Sequence, residues 1–311
     1  MENVKKPIDL LYILGTGSNW SNNEMRFSLR SVHKNLTGYR KIWIVGEDPG
    51  FLKGVNIISH PDEIGPHNAD GNITRKIIRA CKERGLSDHF LKMNDDYLII
   101  KPTHAPDIYP MHKGDLSKFP GSYFKINAWR ERLKRTRDHI AAAGHTPLHF
   151  DHHSPMIISK KHFEPVVEQF DYASDVGLTT RSMYGSIMHP DAVKLSHEKK
   201  KVFRSLSLQQ IEDLIKKPHF LCYNDDGLNS SFRYWLGKNF PDPSPWEVGE
   251  VEDRMVEIAK WEAGGREYKT GAAIFVKYFK LKNLGVMFNG VHTPALETKL
   301  NFKINQTINE L

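Results

Sequence analysis

The first hundred residues alternate short apolar runs with segments whose apolar residues recur at helical spacing. The runs Ile8–Gly15, Lys41–Gly46 and Val55–His60 predict three buried strands, and the segment between the first two places Met25 and Leu29 on one helical face. A strand, a helix and another strand in this order predict a right-handed crossover and a largely parallel sheet. We therefore expect an α/β fold.

The next strand carries two acidic residues. A second amphipathic helix, 72–85, leads into "HFLKMNDDYLII", where Asp95 and Asp96 interrupt an apolar run. Carboxylates beside a buried strand are costly unless they are paired, hydrogen-bonded or bound to a cation, and open α/β sheets bind ligands at the carboxyl ends of their strands. Asp95 and Asp96 are therefore candidate ligands of Mg²⁺ or Mn²⁺. The alternative is an Asx turn in which Asn94 and Asp95 cap backbone amides.

The tripeptide Asn-Asp-Asp recurs in "HFLCYNDDG", and a histidine-rich segment, "HTPLHFDHH", lies between the two copies. Asp225 and Asp226 are candidate catalytic residues, with an Asp-Gly hairpin turn as the alternative. His145 and His153 are candidates for a base or a phosphate contact. Zinc binding by this segment is an alternative, but no cysteine or glutamate lies at the spacing that is diagnostic of a zinc site. Most of the histidines are expected to have surface or packing roles.

Beyond Lys101 the pattern is less regular. We expect an α/β core at 1–110 and a region at 111–311 that completes this core, with a single domain as the alternative. The segment 127–144 predicts a basic helix, and later helices are expected within 205–217 and 246–265. Side chains of the basic helix at 127–144 could contact the phosphates of a nucleic acid. The alternative is that this helix face is solvated. These candidates are Trp129, Arg130, Arg132 and Arg135.

Composition narrows the partners. The chain has 311 residues, a net charge of +7 and a pI near 9.1, which favours an anionic partner. The longest apolar runs are far shorter than the ~20 residues that span a bilayer, so no membrane span is expected. The N-terminus lacks an apolar signal segment, and the two cysteines lack metal-type spacing. We expect a cytoplasmic protein, located in the host cytoplasm if a phage encodes it. The sequence does not predict its oligomeric state.

Five segments occur in the order of the conserved blocks of Stealth-type sugar-phosphate transferases. They are "IDLLYILGTGSN", "MRFSLRSVHKNLTGYRKIWIVGEDP", "GLSDHFLKMNDDYLI", "HTPLHFDHH" and "HFLCYNDDG". The chain resembles this family, whose fold resembles the GT-A (Rossmann-like) nucleotide-sugar glycosyltransferases. The resemblance implies a mostly parallel sheet flanked by helices with an elaborated C-terminal acceptor region, a UDP-linked sugar donor and a divalent cation. Residues that match its motifs are Asp95, Asp96, Arg30, His145, Asn224 and Asp225.

The chain departs from the family after the first strand. Where Stealth-type proteins carry an Asp-Gly-Ser-Asp-like signature, this chain has Thr16-Gly17-Ser18-Asn19. Backbone amides of such a loop can still cradle a uridine or a phosphate, but the loop cannot supply the two carboxylates. Glycosyl transfer and sugar-1-phosphate transfer both stay open. The expected donor-binding residues are Gly15, Thr16, Gly17, Ser18, Asn19, Arg30, Asn94 and Asp95.

These observations predict a metal-dependent glycosyltransferase that moves a sugar from a nucleotide-sugar donor to an acceptor hydroxyl. The basic helix favours a hydroxymethylated DNA base as the acceptor, as in phage DNA modification, which requires the base to be exposed or flipped. One alternative is sugar-1-phosphate or glycosyl transfer in the synthesis of capsular or cell-surface polysaccharide. Another is a non-catalytic module that binds nucleotide sugars or nucleic acid. Retention and inversion are not distinguished.

Overall fold

The computed structural model describes residues 8–263 of the chain. The N-terminal residues 1–7 and the end of the last predicted helix, Gly264–Gly265, lie outside the described residues. Eight helices occur in the described part: α1 Asn23–Asn35, α2 Ala69–Cys81, α3 Ala128–Ala142, α4 Lys160–Val167, α5 Thr180–Met188, α6 Leu208–Leu214, α7 Ser230–Asn239 and α8 Arg254–Ala263.

Twelve strands accompany these helices within the described residues. They are β1 Ile8–Leu14, β2 Leu36–Thr37, β3 Tyr39–Gly46, β4 Asn56–Ser59, β5 His89–Asn94, β6 Tyr97–Ile99, β7 Thr103–His104, β8 Met111–His112, β9 Met156–Ser159, β10 Val193–Lys194, β11 Lys199–Val202 and β12 Phe220–Tyr223.

A five-stranded sheet forms the centre, in the order β4-β3-β1-β5-β9. The pairs β1/β3, β1/β5 and β3/β4 are parallel, and β5/β9 is antiparallel. The prediction of a mostly parallel α/β sheet is confirmed. All seven residues of β1 are buried, as expected for a central parallel strand that is covered on both faces.

The helices cover this sheet through the apolar faces that the sequence pattern predicted. Met25 and Leu29 of α1 are fully buried, and so is Ile77 of α2. Helix α2 begins earlier than predicted, because Asn68 caps it by accepting the backbone N–H of Gly71. The apolar stripes of α1 and α2 thus fix the strand ends from which the site is built.

The predicted strand 89–100 is two strands. Asp95 and Asp96 form a turn, and β6 leaves the central sheet to pair antiparallel with the first three residues of β12. The acidic pair therefore lies after the last residue of β5. Strand β9 comes from the region that was predicted to complete the core.

The described residues divide into two units. One contains 8–199, 218–222 and 244–248, and it includes the central sheet and helices α1 to α5. The other contains 200–217, 223–243 and 249–263, with helices α6 to α8. In this second unit, α6 begins at the predicted Ser-x-x-Gln motif, because Ser207 and Gln210 form a capping box.

Candidate functional site

The parallel strands β1, β3 and β5 end at the same edge of the central sheet. Ile13, near the end of β1, pairs with both Val45 and Asn94. The loop 15–19 follows β1, and the acidic turn, Asn94–Asp95–Asp96, ends β5. Loop and turn therefore emerge from neighbouring strands at the edge where open α/β sheets bind their ligands.

The loop after β1 borders open space. A Cβ atom added to Gly15 or Gly17 would meet no heavy atom within 4 Å. Thr16 and Asn19 are exposed. The loop is sterically able to approach a ligand with its backbone, and its donor-binding role stays a prediction.

Ser18 ties this loop to a carboxylate that the sequence patterns did not single out. Its Oγ donates to Glu24 Oε2 at 2.8 Å and accepts the backbone N–H groups of Trp20 and Asn22 at 3.1 and 2.8 Å. Glu24 lies in the first turn of α1 and is buried. A carboxylate is thus present beside the loop that lacks the two family aspartates.

Asp95 and Asp96 accept few hydrogen bonds for two neighbouring carboxylates: Asp95 Oδ1 accepts the backbone N–H of Asp96 at 3.1 Å, as the Asx-turn alternative expects. Burial, together with the charges of Asp96 and Glu24, raises the pKa of Asp95 to about 7. Among the described residues, Asp96 Oδ1 is buried without a hydrogen-bond partner, whereas its Oδ2 lies 3.9 Å from His153 Nδ1. A cation or a proton would relieve this arrangement.

Asp9, at the opposite end of β1, is a saturated carboxylate. It accepts two hydrogen bonds from Arg40 at 2.9 and 2.8 Å, one from Trp43 Nε1 at 3.0 Å and one from the N–H of Ser87 at 2.9 Å. Burial acts to raise its pKa, but the hydrogen bonds, above all from Arg40, lower it. The acidic turn has no comparable set of donors, which distinguishes it from a structural ion pair.

Hydroxyl groups of α5 hold residues 148–154, the histidine segment. Ser182 Oγ donates to the carboxylate of Asp151 and accepts the backbone N–H of Phe150 at 3.0 Å. Ser186 Oγ accepts the N–H of Leu148 at 2.9 Å. Because residues four apart share one face of a helix, α5 fixes the histidine segment at two points.

His152 and His153 are neighbours in different environments. His152 is buried; its Nε2 donates to the carbonyl of Met111 at 2.7 Å, and its Nδ1 accepts from Ser154 Oγ at 2.8 Å. Burial holds the pKa of His152 well below its usual value. His153 has a left-handed φ of 53°, which is strained for a non-glycine residue, and it faces Asp96. His153 is therefore the better placed of the two to exchange a proton there.

Two buried cations near the acidic turn were not predicted. Lys92 of β5 donates to Asn94 Oδ1, and burial lowers its pKa to about 7. Arg181 of α5 donates to the carbonyl of Phe150 at 3.0 Å and to Tyr97 Oη at 3.3 Å, while its buried Nη2 has no partner among the described residues. A lysine inside an apolar strand was the available signal for Lys92. No local pattern marked Arg181.

The exposed turn, Asn224–Asp225–Asp226, belongs to the second unit. Asn224 Oδ1 accepts the N–H of Gly227 at 3.1 Å, and its Nδ2 donates to Asp226 Oδ2 at 3.3 Å. The three side chains are exposed. The segment forms a capped 3-10 turn rather than the Asp-Gly hairpin considered as an alternative. Catalytic roles for Asp225 and Asp226 stay predictions.

Arg30 and Arg132 are engaged in buried ion pairs. Arg30 donates from Nε and Nη2 to the carboxylate of Glu247 at 3.0 and 2.9 Å. Arg132 donates to Asp70 Oδ2 at 2.8 Å. The basic pattern predicts for Arg132 either a phosphate contact or a place on a solvated helix face; its guanidinium instead pairs with the partly buried Asp70, and its acceptor-binding role stays a prediction. A ligand contact by either arginine would compete with these pairs.

The other predicted residues lie on α3 or just after it. Trp129 and Arg130 are partly exposed, and the Arg130 guanidinium carbon is 4.0 Å from the centre of the Tyr123 ring. Arg135 is half-buried. His145 is exposed after the end of α3.

The described residues contain no group of three or more histidine, cysteine, aspartate or glutamate side chains arranged to hold a metal. The zinc alternative for the histidine segment therefore gains no ligand set in this part of the chain. Magnesium needs fewer protein ligands, because one or two carboxylates suffice when water and substrate phosphates complete its shell. The underused oxygens of Asp95 and Asp96 fit that requirement.

Comparison with known proteins supports the resemblance drawn from the motifs. No family model matches the chain. It is 24% identical over 271 residues to an exopolysaccharide phosphotransferase of Nocardia farcinica, covering 72% of this chain and 53% of that protein. It is 32% identical over 101 residues to the human N-acetylglucosamine-1-phosphotransferase subunits alpha/beta, covering 30% of this chain and 8% of that protein. The resemblance to sugar-phosphate transferases is confirmed, and the chain spans about half the length of the Nocardia relative.

A solved galactosyltransferase, LgtC in complex with donor and acceptor sugar analogs, matches with a TM-score of 0.44 and 11% identity. The match covers 78% of this chain and 98% of that one.

Within the described part of the chain, no helix has both the length and the apolar character needed to cross a bilayer.

Proposed function

We propose that this chain transfers a sugar together with its phosphate from a nucleotide-sugar donor to a hydroxyl group of a glycan. The observation that carries the proposal is the acidic turn beside an open loop at the carboxyl edge of a parallel sheet, where Asp96 keeps a buried oxygen without a hydrogen-bond partner among the described residues. The Nocardia and human relatives are both named as phosphotransferases. Their names favour transfer of sugar phosphate over transfer of the sugar alone.

The donor would bind along this edge. Backbone amides of the loop 15–19 would hold its nucleotide or phosphates, as anion-binding loops do. Asp95 and Asp96 would hold Mg²⁺ or Mn²⁺, which when bound neutralises charge on the diphosphate. Lys92 and Arg181 add positive charge near the acidic turn. The Nη2 of Arg181, which has no partner among the described residues, would donate to an anionic oxygen of the donor.

The proposed reaction is a displacement at phosphorus. The acceptor oxygen forms a bond to the phosphorus that carries the sugar, and the bond from that phosphorus to the bridging oxygen breaks. The electron pair leaves with the nucleoside monophosphate. His153 accepts the hydroxyl proton, and the Asp96 carboxylate at 3.9 Å stabilises the imidazolium that forms.

A hydroxymethylated DNA base is the weaker acceptor hypothesis. It depended on a row of free arginines on α3, and Arg132 is paired with Asp70. Arg137 is likewise paired with Asp138. A glycan hydroxyl needs no such row, so it is the favoured acceptor.

The nucleotide product tests the proposal directly. The chain is incubated with nucleotide sugars labelled on the sugar and on the sugar-bound phosphorus, together with glycan and hydroxymethylated DNA. We expect nucleoside monophosphate as the product and both labels in the glycan. Nucleoside diphosphate with only the sugar label transferred would instead show glycosyl transfer. Label in DNA would restore the DNA hypothesis, and donor binding without turnover would leave a non-catalytic module.

A further inference from the structure

A cavity of about 510 Å³ lies within the first unit, and residues from 102–111, 197–198 and 219–220 line it. We call it the remote cavity. Strand β6 begins directly after the acidic turn and ends at Ile99, which pairs with Phe220 of the cavity lining. The cavity and the acidic turn are therefore at opposite ends of β6. Its volume is within the range of about 300 to 1,000 Å³ that is usual for sites of small ligands.

Hydrogen bonds join the segments that line the remote cavity. The carbonyl of Glu198 accepts the backbone N–H groups of His219 and Phe220 at 2.8 and 3.0 Å. Tyr109 donates its hydroxyl to Glu198 Oε1 at 3.3 Å, and the N–H of Ser196 donates to Glu198 Oε2 at 2.8 Å. Glu198 is thus occupied in holding the lining together. A cavity that is formed before its ligand arrives has a smaller ordering cost on binding.

The lining combines buried apolar side chains with an aromatic ring that solvent reaches. The buried apolar side chains are Ile108, Met111 and Phe220. Tyr109 keeps 44% of its surface exposed, and no ring or cation covers its ring among the described residues. An exposed tyrosine ring offers an apolar face with a polar tip. The remote cavity therefore suits a ligand that has an apolar face and polar edges.

Polar groups with free hydrogen-bonding capacity also line the remote cavity. His219 is exposed, and its ring nitrogens have no hydrogen-bond partner in the described part of the chain. His197 Nδ1 is 3.0 Å from Ser196 Oγ, and its Nε2 makes no hydrogen bond within 8–263. The Asp107 side chain is 79% exposed, with Oδ2 at 3.3 Å from His104 Nδ1. Because imidazoles donate and accept and a carboxylate accepts, a ligand meets both kinds of group.

The charges of the lining disfavour an anionic ligand. None of the described residues that line the cavity is a lysine or an arginine, although the whole chain has a net charge of +7. A phosphate or a carboxylate would lack a paired cation there, next to Asp107 and Glu198. An amine on the Tyr109 ring would meet Glu198, whose oxygens are already occupied. The described histidines and acids form no group that is arranged to hold a metal ion.

We propose that the remote cavity binds a neutral saccharide, with one sugar ring on Tyr109 and its hydroxyl groups bonded to Asp107 and His219. The saccharide would be the distant part of the glycan acceptor. Asp96 and Pro102 are six residues apart, which is at most about 20 to 22 Å of extended chain. A glycan of several sugars spans such a distance, so one molecule would occupy the cavity and present a hydroxyl at the acidic turn. The acceptor role rests on the proposed function, whereas saccharide binding does not.

Binding is measured on the full chain by calorimetry with defined probes. They are neutral hexasaccharides of glucose, of mannose and of N-acetylglucosamine, an acidic hexasaccharide that contains glucuronic acid, and spermidine. We expect a neutral hexasaccharide to bind most tightly and to keep its affinity as salt is added, because no ion pair is there to be screened. Tighter binding of the acidic hexasaccharide or of spermidine would overturn the proposal, and so would the absence of binding by all three neutral probes.

Substitutions locate the saccharide. Tyr109→Ala should weaken the neutral probe about fivefold to tenfold, whereas Tyr109→Phe retains the ring and should stay within about twofold of the wild type. His219→Ala should weaken it about fivefold, and His219→Gln should recover part of the loss. Both side chains are exposed, so these variants are expected to fold.

Ile126→Ala and His33→Ala are matched controls, because they remove an exposed apolar side chain and an exposed imidazole outside the lining. Neither should change the affinity. Losses in the controls as large as those in Tyr109→Ala and His219→Ala would place the saccharide elsewhere and overturn the proposal.

Kinetics test the acceptor role separately. With a hexasaccharide acceptor, Tyr109→Ala should raise KM about fivefold to tenfold and leave kcat within about twofold, because binding far from the reacting atoms is lost equally in ground and transition states. KM for a disaccharide acceptor, which is too short to span the two places, should not change. An equal rise in KM for both acceptors would refute the distant position. Saccharide binding without any turnover refutes only the proposed function, and turnover with wild-type affinity in Tyr109→Ala and His219→Ala refutes only this inference.

Discussion

The two copies of Asn-Asp-Asp have the same residues and different surroundings. In the acidic turn, burial raises the pKa of Asp95 to about 7, and Asp96 keeps a buried oxygen without a partner among the described residues. In the exposed turn, Asn224 caps the N–H of Gly227 and donates to Asp226, and all three side chains reach solvent. In the acidic turn, negative charge is destabilised by burial and by neighbouring carboxylates. In the exposed turn, the side chains hydrogen-bond to one another and to the local backbone.

This contrast shows that the tripeptide alone does not define a site. Asn, Asp and Asp are turn formers because their side chains hydrogen-bond to nearby backbone groups. They become a candidate site only where the fold leaves a carboxylate oxygen buried without a partner among the described residues, as at Asp96 Oδ1, and adds like charge. Glu24 supplies that charge at the acidic turn. Carboxylates whose pKa is raised by burial and like charge are common at functional sites, where local stability is given up for binding.

The largest expected difference between the two turns is in turnover. We predict that Asp96→Asn lowers the rate of product formation at least about 100-fold, the scale expected when one charged group that stabilises a transition state is removed. Asp226→Asn should lower it less than about tenfold. Rates are compared by release of nucleotide from the donor that the chain uses. Equal losses would put both turns in the chemistry and end the contrast.

The next difference is in stability. We predict that Asp95→Asn stabilises the chain by about 1 to 3 kcal/mol at pH 8, because one pKa unit is worth about 1.4 kcal/mol and Asp96 and Glu24 share the repulsion. The folded chain holds the Asp95 proton up to about pH 7, whereas the unfolded chain releases it near pH 4. Between these values the wild type loses stability as pH rises, and the asparagine variant does not.

This stability prediction is checked by urea unfolding with a chelator present, at pH 8 and near pH 4. Most of the gain at pH 8 should be lost near pH 4, where the carboxyl group of Asp95 is protonated in the folded chain and about half protonated in the unfolded chain. Asp226→Asn, at the solvated turn, should stay within about 0.5 kcal/mol of the wild type at both pH values. A gain at pH 8 from Asp226→Asn equal to that from Asp95→Asn would refute the contrast.

The smallest expected effect concerns the cap of the exposed turn. Asn224→Ala removes the acceptor of the Gly227 N–H, so we predict a loss of about 0.5 to 1 kcal/mol. Asn224→Ser retains a side-chain acceptor and should recover about half of this loss. Thermal unfolding of the two variants and the wild type measures the effect. Unchanged stability in Asn224→Ala would mean that the turn is held by other contacts.

The sequence predicted the elements whose causes are local. The strands β1 and β3 are continuous apolar runs, and the capping box at Ser207 and Gln210 is a short-range pattern. The place of Asp95 and Asp96 at a strand end followed from an acidic pair inside an apolar run. By contrast, β6 pairs with β12, more than a hundred residues later, so that partner could not be inferred from either segment.

The unpredicted parts of the site depend on tertiary packing. The basic helix predicts for Arg132 a phosphate contact or a solvated position, yet Arg132 meets Asp70, a residue of α2. Arg181 carries no neighbouring pattern, and its importance appears only when α5 packs on the histidine segment. Helical spacing predicts which face is apolar. It does not predict which distant acid a buried cation will meet.

Glu247 gives the chain an order in which it can be completed during synthesis. Arg30 and Glu247 are 217 residues apart in sequence, and Arg26 shares the same carboxylate. At about 5 to 20 residues per second, the ribosome adds those residues in roughly 10 to 40 s. Two arginines on the first helix therefore wait without their acid while the central strands are already made. The buried charges of the first helix are therefore neutralised only after this late segment has been made.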